Sequence, residues 1–407
     1  MTDQKRVQEQ GSQKISRRNV LKAAMAAGGV AALGFPMIAK AQQTIALKMQ
    51  STWPTKDIFH DIFVAWGKKT EEMSGGRLKI DILPAGSVVP AFGLMDAIHS
   101  GTLDGGHGVT AYWFGKNVAT SLFGTGPAYG FDAEVLLGWI HYGGGQELYN
   151  ELIQKILKLD VQSFLHGPMP TQPLGWFKTP ITNPDQFKGM KYRTVGLSAD
   201  LFKAMGASVV ILPGGEIVAA LDRNLIDAAE FNNTTSDRML GFPDVRKVMM
   251  AQSYHQPMEC LELLISKRKY ESLPKDLQAI IKYATMAESA DFTWKMMDRN
   301  STDLIEMKAK QGVKVVKTPK SVLDAQLKAW DKVIDDKSKD NPFFAKVLES
   351  QKQWAARVVP WRQEIMVDEE LAYNHFFKQA AKPTAPPAKS AGAETPAAKA
   401  PAPAKKQ

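Results

Sequence analysis

The side chains best suited to bind a small molecule lie between residues 172 and 256. Gln172, Arg193, Glu230 and Gln256 each stand where an apolar run ends, which is where an open α/β sheet presents its ligand-binding groups. Arg193 is the first candidate, because its planar and permanently charged guanidinium matches the geometry of a carboxylate. The pattern predicts a cleft between two lobes that traps a small organic acid.

Each of these residues also has a structural interpretation that involves no ligand. Arg193 at a strand end suits an ion pair, Gln172 suits loop hydrogen bonds, and Glu230 suits a helix cap or a salt bridge. Five aromatic residues either line the cleft or pack in the core: Trp53, Tyr112, Trp113, Phe123 and Trp176. The residues alone leave both interpretations open.

An enzyme that acts on a carboxylate is the competing class of protein. The seven histidines are scattered without a metal-ligand spacing such as H-x-x-x-H, and the sequence has no P-loop and no Gly-x-Gly-x-x-Gly after a strand. The single cysteine, Cys260, lies in an apolar run, which is typical of a buried and inert thiol. An arginine with amides and one carboxylate lacks an evident acid/base pair, so the pattern favours binding over catalysis.

The elements that must position these side chains alternate between strands and helices. Strands are predicted over 45–50 and 78–83 and from residue 104, with helices over 56–73 and 91–100 between them. This order predicts a parallel sheet with right-handed crossovers, and hence an α/β fold.

The last third of the body is predicted to be mainly helical. A long helix covers 273–310, a short strand covers 313–317, and a second helical stretch over 321–358 is interrupted at Pro342. A last helix is predicted over 362–377. Such long helices suit the bridging of two lobes or the packing of two subunits.

A short internal similarity indicates two lobes of like topology. Residues 97–105 align with residues 220–228, each with a helix end, a residue that tolerates left-handed geometry (Gly101 or Asn224), an apolar pair and an aspartate that opens a strand. The predicted lobes lie before and after about residue 165.

Both ends of the chain are predicted to lie outside the fold. The pair Arg17-Arg18 precedes an apolar run that ends at Ala39-Lys40-Ala41, which predicts a twin-arginine export signal over residues 1–41 and a periplasmic location. Residues 379–407 are mostly Ala, Pro and Lys, which predicts a disordered tail. No later stretch is long and apolar enough to span a bilayer.

The excess of positive charge belongs to these two ends. Residues 1–41 hold seven basic and two acidic side chains, and residues 379–407 hold five and one, out of totals of 51 and 42. The body therefore carries 39 of each sign. A balanced body gives no support for nucleic acid as a partner.

Several segments, in this order, make the chain similar to the extracytoplasmic solute receptors of TRAP transporters. The similarity is to the branch that binds 2-oxo acids and related monocarboxylates. The segments that carry it are Gly101-x-x-Asp104, Trp139-x-x-Tyr142-Gly143-Gly144-Gly145, Gln172-x-x-Gly175-Trp176-Phe177, Phe187-Lys188-Gly189-Met190-Lys191-Tyr192-Arg193, Gly206-Ala207-x-x-Val210, Ala219-Ala220-Leu221-x-x-x-x-Ile226-Asp227-Ala228-Ala229-Glu230 and Ser272-Leu273-Pro274.

The resemblance implies a two-lobe periplasmic-binding-protein fold with long C-terminal helices. Lobe 1 is expected over 42–165, lobe 2 over 166–270, and a helical segment that completes the lobes over 271–378. The final helix, here 361–377, would be exchanged between the subunits of a homodimer. The receptor would deliver its ligand to the membrane subunits of the transporter.

The resemblance also implies roles for the candidate site residues. Arg193 would bind the substrate carboxylate, and Gln172 would contact substrate, metal or both. A sodium or calcium ion beside the substrate would be held by Glu230, the Phe231 carbonyl and Gln256. Phe231 and Gln256 would also face the substrate.

The chain departs from the family pattern at the cation. Gln256 stands where the family has Glu, and Phe231 and His255 replace tryptophans. The segment 232–235 replaces an aromatic and glycine-rich turn, and this replacement points to extra hydrogen bonds to the ligand. Because hard cations gain affinity from charged ligands, a lone Glu230 favours sodium over calcium, with a metal-free site as the alternative. Candidate ligands are a 2-oxo acid, a hydroxy acid or an aromatic carboxylate.

Overall fold

The computed structural model describes residues 44–127 and 129–377. The predicted export signal and tail lie outside these residues. The strands in this part of the chain are β1 Ile45–Ser51, β2 Leu78–Leu83, β3 Gly105–Val109, β4 Val161–Met169, β5 Gly175–Phe177, β6 Lys191–Arg193, β7 Ser208–Val210, β8 Ala228–Ala229, β9 Val248–Ala251, β10 Glu259–Ser266 and β11 Lys314–Lys317.

The α-helices of the same residues alternate with these strands in the first two thirds and dominate the last. They are α1 Ile58–Met73, α2 Leu94–Ser100, α3 Ala133–Tyr142, α4 Gly145–Asn150, α5 Leu197–Ala204, α6 Gly214–Asp222, α7 Thr234–Leu240, α8 Phe242–Val245, α9 Lys267–Ser272, α10 Lys275–Lys310, α11 Lys320–Asp340, α12 Pro342–Ile365 and α13 Glu369–Phe377. None of them, over the residues described, is both long and apolar enough to cross a membrane.

The strands form two sheets, as the α/β prediction requires. The first has the order β2-β1-β3-β10-β4 and the second the order β11-β9-β5-β8-β6-β7. β1 runs parallel to β2 and β3, which confirms the predicted parallel pairing, whereas β10 enters the first sheet antiparallel to both β3 and β4. The sequence prediction assigned 259–266 to the second lobe. The domain boundaries stay a prediction.

The internal similarity corresponds to a repeated backbone device. Gly101 and Asn224 both adopt positive φ, of 83° and 55°. Asp104 and Asp227 then each form two bonds to one residue of a neighbouring strand. The Asp104 backbone N–H donates to the Lys48 carbonyl at 2.9 Å and its Oδ2 accepts from the Lys48 N–H at 2.8 Å. Asp227 repeats both bonds with Lys191, at 2.8 and 2.9 Å.

Helix α10 links elements of both sheets. Its first half holds α1, because Trp66 Nε1 donates to Thr285 Oγ1 at 3.0 Å, and it holds β4, because Ser289 Oγ accepts from the Gly167 N–H at 2.9 Å. Its second half meets α7, where Asp303 pairs with Arg238 at 2.6 Å. The predicted role of a long C-terminal helix as a bridge is confirmed.

The end of the body differs from the predicted single helix over 362–377. Pro342 opens α12 with Asn341 as its cap, as expected, but α12 continues past Pro360 to Ile365. A break follows, and the Asp368 carboxylate then accepts from the N–H groups of Glu370 and Leu371 to begin α13. The periodicity of the sequence did not reveal this restart, because an aspartate is equally common on a helix surface and at a cap.

Candidate functional site

Two neighbouring strands and two loops bring the predicted site residues together. β6 and β8 are parallel, with Arg193 in register with Ala229, so Glu230 and Phe231 follow directly beside the arginine. The backbone N–H of Gln172 donates to the carbonyl of Gln256 at 3.1 Å, which joins the loop before β5 to the loop before β10. All five of these side chains are buried.

Arg193 uses most of its donors on the protein itself. Its Nε and Nη2 donate to the Leu212 carbonyl at 2.9 and 2.7 Å, and Nη1 donates to the carbonyl and to Oε1 of Glu230, both at 3.0 Å. These four bonds fix the guanidinium, which also lies 5.7 Å from the centre of the Phe231 ring. The ion pair that served as the structural alternative for Arg193 is therefore present, and it leaves one of the five N–H groups for a ligand.

Glu230 is a carboxylate held in a dry environment. Burial raises its pKa from 4.5 to about 6, against the lowering effect of the Arg193 charge. One oxygen, Oε1, pairs with Arg193, while Oε2 is buried without a hydrogen-bond partner among the described residues. An uncompensated carboxylate oxygen in such a place needs a donor or a cation.

Gln256 shows most clearly that the site is built for another molecule. Its side chain is completely buried, and neither Oε1 nor Nε2 has a partner in the described part of the chain. Gln172 presents a buried Oε1 that is likewise unpartnered. Buried amides are normally satisfied, because leaving such a group unpaired costs about 1–3 kcal/mol. These atoms and Glu230 Oε2 therefore offer three oxygens that suit a hard cation.

The opposite side of the site comes from elements around the first sheet. Tyr112 is buried. Burial and the charges of Glu259 and Glu230 raise the pKa of its hydroxyl, whereas the Arg193 charge lowers this pKa. These charge effects indicate that the Tyr112 side chain faces the charged cluster. The Trp53 ring lies 5.9 Å from Tyr112 and 6.5 Å from Phe231.

The other three aromatic candidates pack in the interior. Trp113 donates to Glu262, Trp176 donates to Asp237, and Phe123 packs on Trp139 and Tyr149. Sequence alone could not separate these two groups, because all five rings are buried.

Two contacts bring the two sides of the site together. The Ser236 hydroxyl of α7 donates to Asp57 Oδ1, at the start of α1, at 2.9 Å. Gly196, with φ of 60°, approaches so closely that a Cβ built on it would lie 2.9 Å from Ser121 Oγ. The polar cluster is therefore enclosed by protein on both sides.

A groove of about 890 Å³ lies beside this cluster. Its lining includes Met169, Met249 and Pro257 but none of the predicted site residues. The charged residues in its lining, Asp132 and Glu134, are both acidic, and Asp132 is paired with Arg362. The lining itself thus holds no basic side chain for an anion, and the enclosed polar cluster is the better candidate for an acid.

A family model decides the relationship of the chain to known proteins. Residues 49–340 match the model described as bacterial extracellular solute-binding protein, family 7. The chain belongs to this family. The resemblance to TRAP receptors seen in the sequence is thereby confirmed.

Individual solute-binding proteins resemble the chain over most of its length. A monocarboxylate 2-oxoacid-binding periplasmic protein of Nostoc sp. is 31% identical over 310 residues, which cover 76% of this chain and 82% of that protein. A TRAP solute-binding protein of Bordetella bronchiseptica, a dimer with calcium and picolinate, has a TM-score of 0.77 at 27% identity. The match covers 83% of this chain and 98% of that protein. A TRAP periplasmic solute-binding protein of Pseudoalteromonas atlantica, with bound sodium and pyruvate, has a TM-score of 0.75 at 30% identity. The match covers 82% of this chain and 100% of that protein.

Glu259 of this family 7 receptor is a site residue that the sequence analysis missed. Its Oε2 accepts from Gln172 Nε2 at 2.7 Å and from Asn232 Nδ2 at 2.6 Å. Burial and the charge of Glu230 raise its pKa from 4.5 to about 8. The available signal was a glutamate in an apolar strand three residues after Gln256. The sequence analysis counted only Glu230, and Glu259 is a second buried carboxyl group beside it.

The segment 232–235 is used mainly for protein contacts. Asn232 bonds Glu259, Asn233 Nδ2 donates to Asn232 Oδ1 at 2.8 Å, and Asn233 Oδ1 accepts from the Ser236 N–H to cap α7. The extra hydrogen bonds predicted for a ligand at this turn stay a prediction.

His255 is a second residue whose side chain the sequence analysis did not place in the site. Its Nδ1 lies 2.6 Å from Ser253 Oγ, and that hydroxyl already accepts from Gln326 Nε2 at 2.8 Å. The hydroxyl also accepts from the His255 backbone N–H at 3.3 Å, so both of its acceptor sites are used. It therefore donates to Nδ1, which leaves the proton of neutral His255 on Nε2. Burial lowers the pKa of His255 to about 3, with a further contribution from Arg193, and Nε2 is buried without a partner among the described residues.

Proposed function

We propose that this family 7 receptor captures a small 2-oxo acid or related monocarboxylate and delivers it to the membrane subunits of a TRAP transporter. The observation that carries the proposal is a buried cluster of one arginine, one paired carboxylate and two glutamines whose amide oxygens have no partner. The names of the relatives support the same ligand class, since one is a 2-oxoacid-binding protein and one holds pyruvate.

The site residues have distinct proposed roles. Arg193 donates to the carboxylate of the acid through its one remaining N–H, while its positive charge is already paired with Glu230. Gln172 and Gln256 supply amide groups to the oxygens of the acid or of a cation. Phe231 forms an apolar wall of the site. Its side chain is 5% exposed, and its ring packs so closely on Gly214 that a Cβ there would not fit. An enclosed acid must be paired with positive charge, because a buried lone anion is strongly unfavourable.

The residues present fit a cation beside the acid. Gln172 Oε1, Glu230 Oε2 and Gln256 Oε1 are unpartnered oxygens, and the Phe231 carbonyl is the fourth ligand that the resemblance implies. A bound cation would supply the positive charge that the neutral Arg193–Glu230 pair cannot give to an anion. Among the described residues no three His, Cys, Asp or Glu side chains are grouped so that they could hold a metal ion, so the proposed ligands include amide and backbone oxygens.

The cellular context completes the proposal. Residues 1–41 would direct the folded protein through the twin-arginine route to the periplasm. A homodimer would form through the C-terminal helices. Support for this comes from the exposed apolar side chains of this region, including Trp361, Leu371 and Phe376, which are 57%, 70% and 74% exposed.

A thermal-shift screen of organic acids tests the function directly. A ligand that binds only the folded protein raises its melting temperature, so pyruvate or another 2-oxo acid should do so and a neutral amide analogue should not. Recovery of the acid unaltered after incubation distinguishes a receptor from an enzyme. A response to picolinate alone, insensitive to chelator, would favour the aromatic-carboxylate receptor without metal. Chemical turnover of the acid would overturn the receptor function.

A further inference from the structure

The buried carboxyl group of Asp57 joins the two sides of the site. Asp57 lies between β1 of the first sheet and helix α1, which it caps, because its Oδ1 accepts from the Phe59 N–H at 3.2 Å. The same oxygen accepts from the Ser236 hydroxyl at 2.9 Å, and Ser236 belongs to α7, which follows β8 of the second sheet. The contact therefore depends on the two sides lying together.

We propose that the receptor takes up a proton at Asp57 when it closes on its acid, so that binding strengthens as the medium becomes more acidic. The inference rests on the proposed function, because it requires an acid that draws the two sides together. The proton comes from the solvent and is bound by Oδ2 of the carboxylate. It returns to the solvent when the receptor opens and releases the acid.

The surroundings of Oδ2 favour the protonated form of Asp57 in the closed receptor. The side chain is completely buried, and Oδ2 has no hydrogen-bond partner among the described residues. A buried carboxylate oxygen without a donor is much less favourable than a neutral carboxyl group. Burial accordingly raises the pKa of Asp57 from 3.8 to about 7, although the bonds from Phe59 and Ser236 oppose the shift.

The titratable groups around Asp57 give its carboxylate no positive partner among the described residues. Asp61, one turn further along α1, and Asp237, in α7, are both acidic. The guanidinium of Arg238 in α7 is paired with two carboxylates of α10. Burial lowers the pKa of His60 in α1, and its Nδ1 bonds a serine hydroxyl of β1. The lysine that precedes Asp57 is exposed.

Opening of the receptor removes the conditions that favour the proton. Separation of α1 from α7 breaks the bond from Ser236 and brings water to the carboxylate, so its pKa returns toward the ordinary value of 3.8. A group whose pKa is higher in the closed form stabilises that form at low pH, and this contribution is lost as the pH rises through about 7. The Asp57 N–H also bonds the Pro54 carbonyl at 3.0 Å, next to Trp53, so the proton site adjoins the aromatic wall of the acid site.

Calorimetry with pyruvate counts the protons directly. The full-length protein is titrated at pH 7 in phosphate and in Tris, whose heats of ionisation differ, so the difference between the two observed heats gives the number of protons taken up per acid bound. The same is done for Asp57→Asn and Asp57→Ser, which keep a capping side chain but cannot ionise. The matched control is Asp132→Asn, because Asp132 caps α3 in the same way but lies outside the α1–α7 contact. Melting temperatures show whether each variant is folded.

The expected result is a loss of proton uptake in variants that still bind the acid. With a pKa of about 7, Asp57 is about half protonated at pH 7, so the wild type and Asp132→Asn should each take up about 0.5 proton per acid more than the two Asp57 variants. The difference from these variants is the quantity that counts, because Glu230, Asp237 and Glu259 are also buried carboxyl groups. Between pH 8 and pH 6, the affinity of the wild type should rise about tenfold more than that of the Asp57 variants.

Two results would overturn the inference and leave the proposed function intact. One is equal proton uptake by the wild type and a folded Asp57 variant. The other is a wild-type affinity for pyruvate that is the same at pH 6 and pH 8, which needs no variant. A wild type that binds neither pyruvate nor any other 2-oxo acid would refute the proposed function instead.

Discussion

Replacement of Arg193 by methionine is the perturbation with the largest expected effect on acid binding. The guanidinium is 1% exposed, makes four hydrogen bonds to protein oxygens and pairs with Glu230 at 3.0 Å. The hydrogen bond between the guanidinium and the enclosed acid is a contact between charged partners, and truncating one partner of such a buried contact costs about 2–5 kcal/mol of binding free energy. Because about 1.4 kcal/mol of binding free energy corresponds to a tenfold change in affinity, affinity for the acid should fall by about 30- to 4,000-fold.

The assay is isothermal calorimetry with pyruvate at pH 7. Arg193→Met also loses bonds to the Leu212 and Glu230 carbonyls, so a separate measurement of the melting temperature is needed. Arg246→Met is the matched control, because Arg246 is a buried arginine that donates to the carbonyls of Leu221, Ile226 and Asp227. The control should lose stability but keep its affinity. A folded Arg193→Met variant with wild-type affinity would refute the proposed role of Arg193.

Three further predictions follow from particular atoms of the site. Gln256→Leu should keep or raise the free energy of unfolding, because it removes an amide without partners whose burial costs about 1–3 kcal/mol. The same substitution should weaken acid binding in calorimetry. A loss of stability with normal binding would contradict this. Gly196→Ala should lower acid affinity at least about tenfold, because its Cβ would meet Ser121 Oγ at 2.9 Å and its φ of 60° is strained for alanine. In small-angle scattering, added acid should then no longer compact the protein. Compaction equal to that of the wild type would exclude this role. Burial raises the pKa of Asp57 from 3.8 to about 7, with Asp61 adding to the shift and Ser236 opposing it, so the folded protein holds the proton more tightly than the unfolded chain. The contribution of Asp57 to stability should be complete below about pH 4 and be lost as the pH rises through 7, and Asp57→Asn, which keeps an N-cap, should flatten denaturant-derived unfolding free energies across that range.

The sequence was sufficient for elements with strong local signals. The glycine or asparagine before each strand-opening aspartate predicted a repeated turn, and the same hydrogen bonds from Asp104 and Asp227 confirm it. The long helix before Gly312 and the proline start of α12 were also visible, because their apolar spacing and caps are local.

Long-range pairing could not be predicted in the same way. Glu259 meets Gln172 across 87 residues, and nothing local to either residue indicates the contact. The antiparallel entry of β10 into the first sheet depends on the path of the chain between lobes, which hydrophobic periodicity does not encode. The three bonds of Arg193 to backbone carbonyls were hidden for the same reason, since backbone carbonyls leave no mark in a sequence.

A crystal structure of the receptor with pyruvate tests the central claim most directly. The account predicts that the carboxylate of pyruvate lies within hydrogen-bond distance of the Arg193 guanidinium, with Gln172 and Gln256 contacting the acid or a neighbouring cation. Pyruvate bound in the groove beside Met249, or a carboxylate directed away from Arg193, would contradict it.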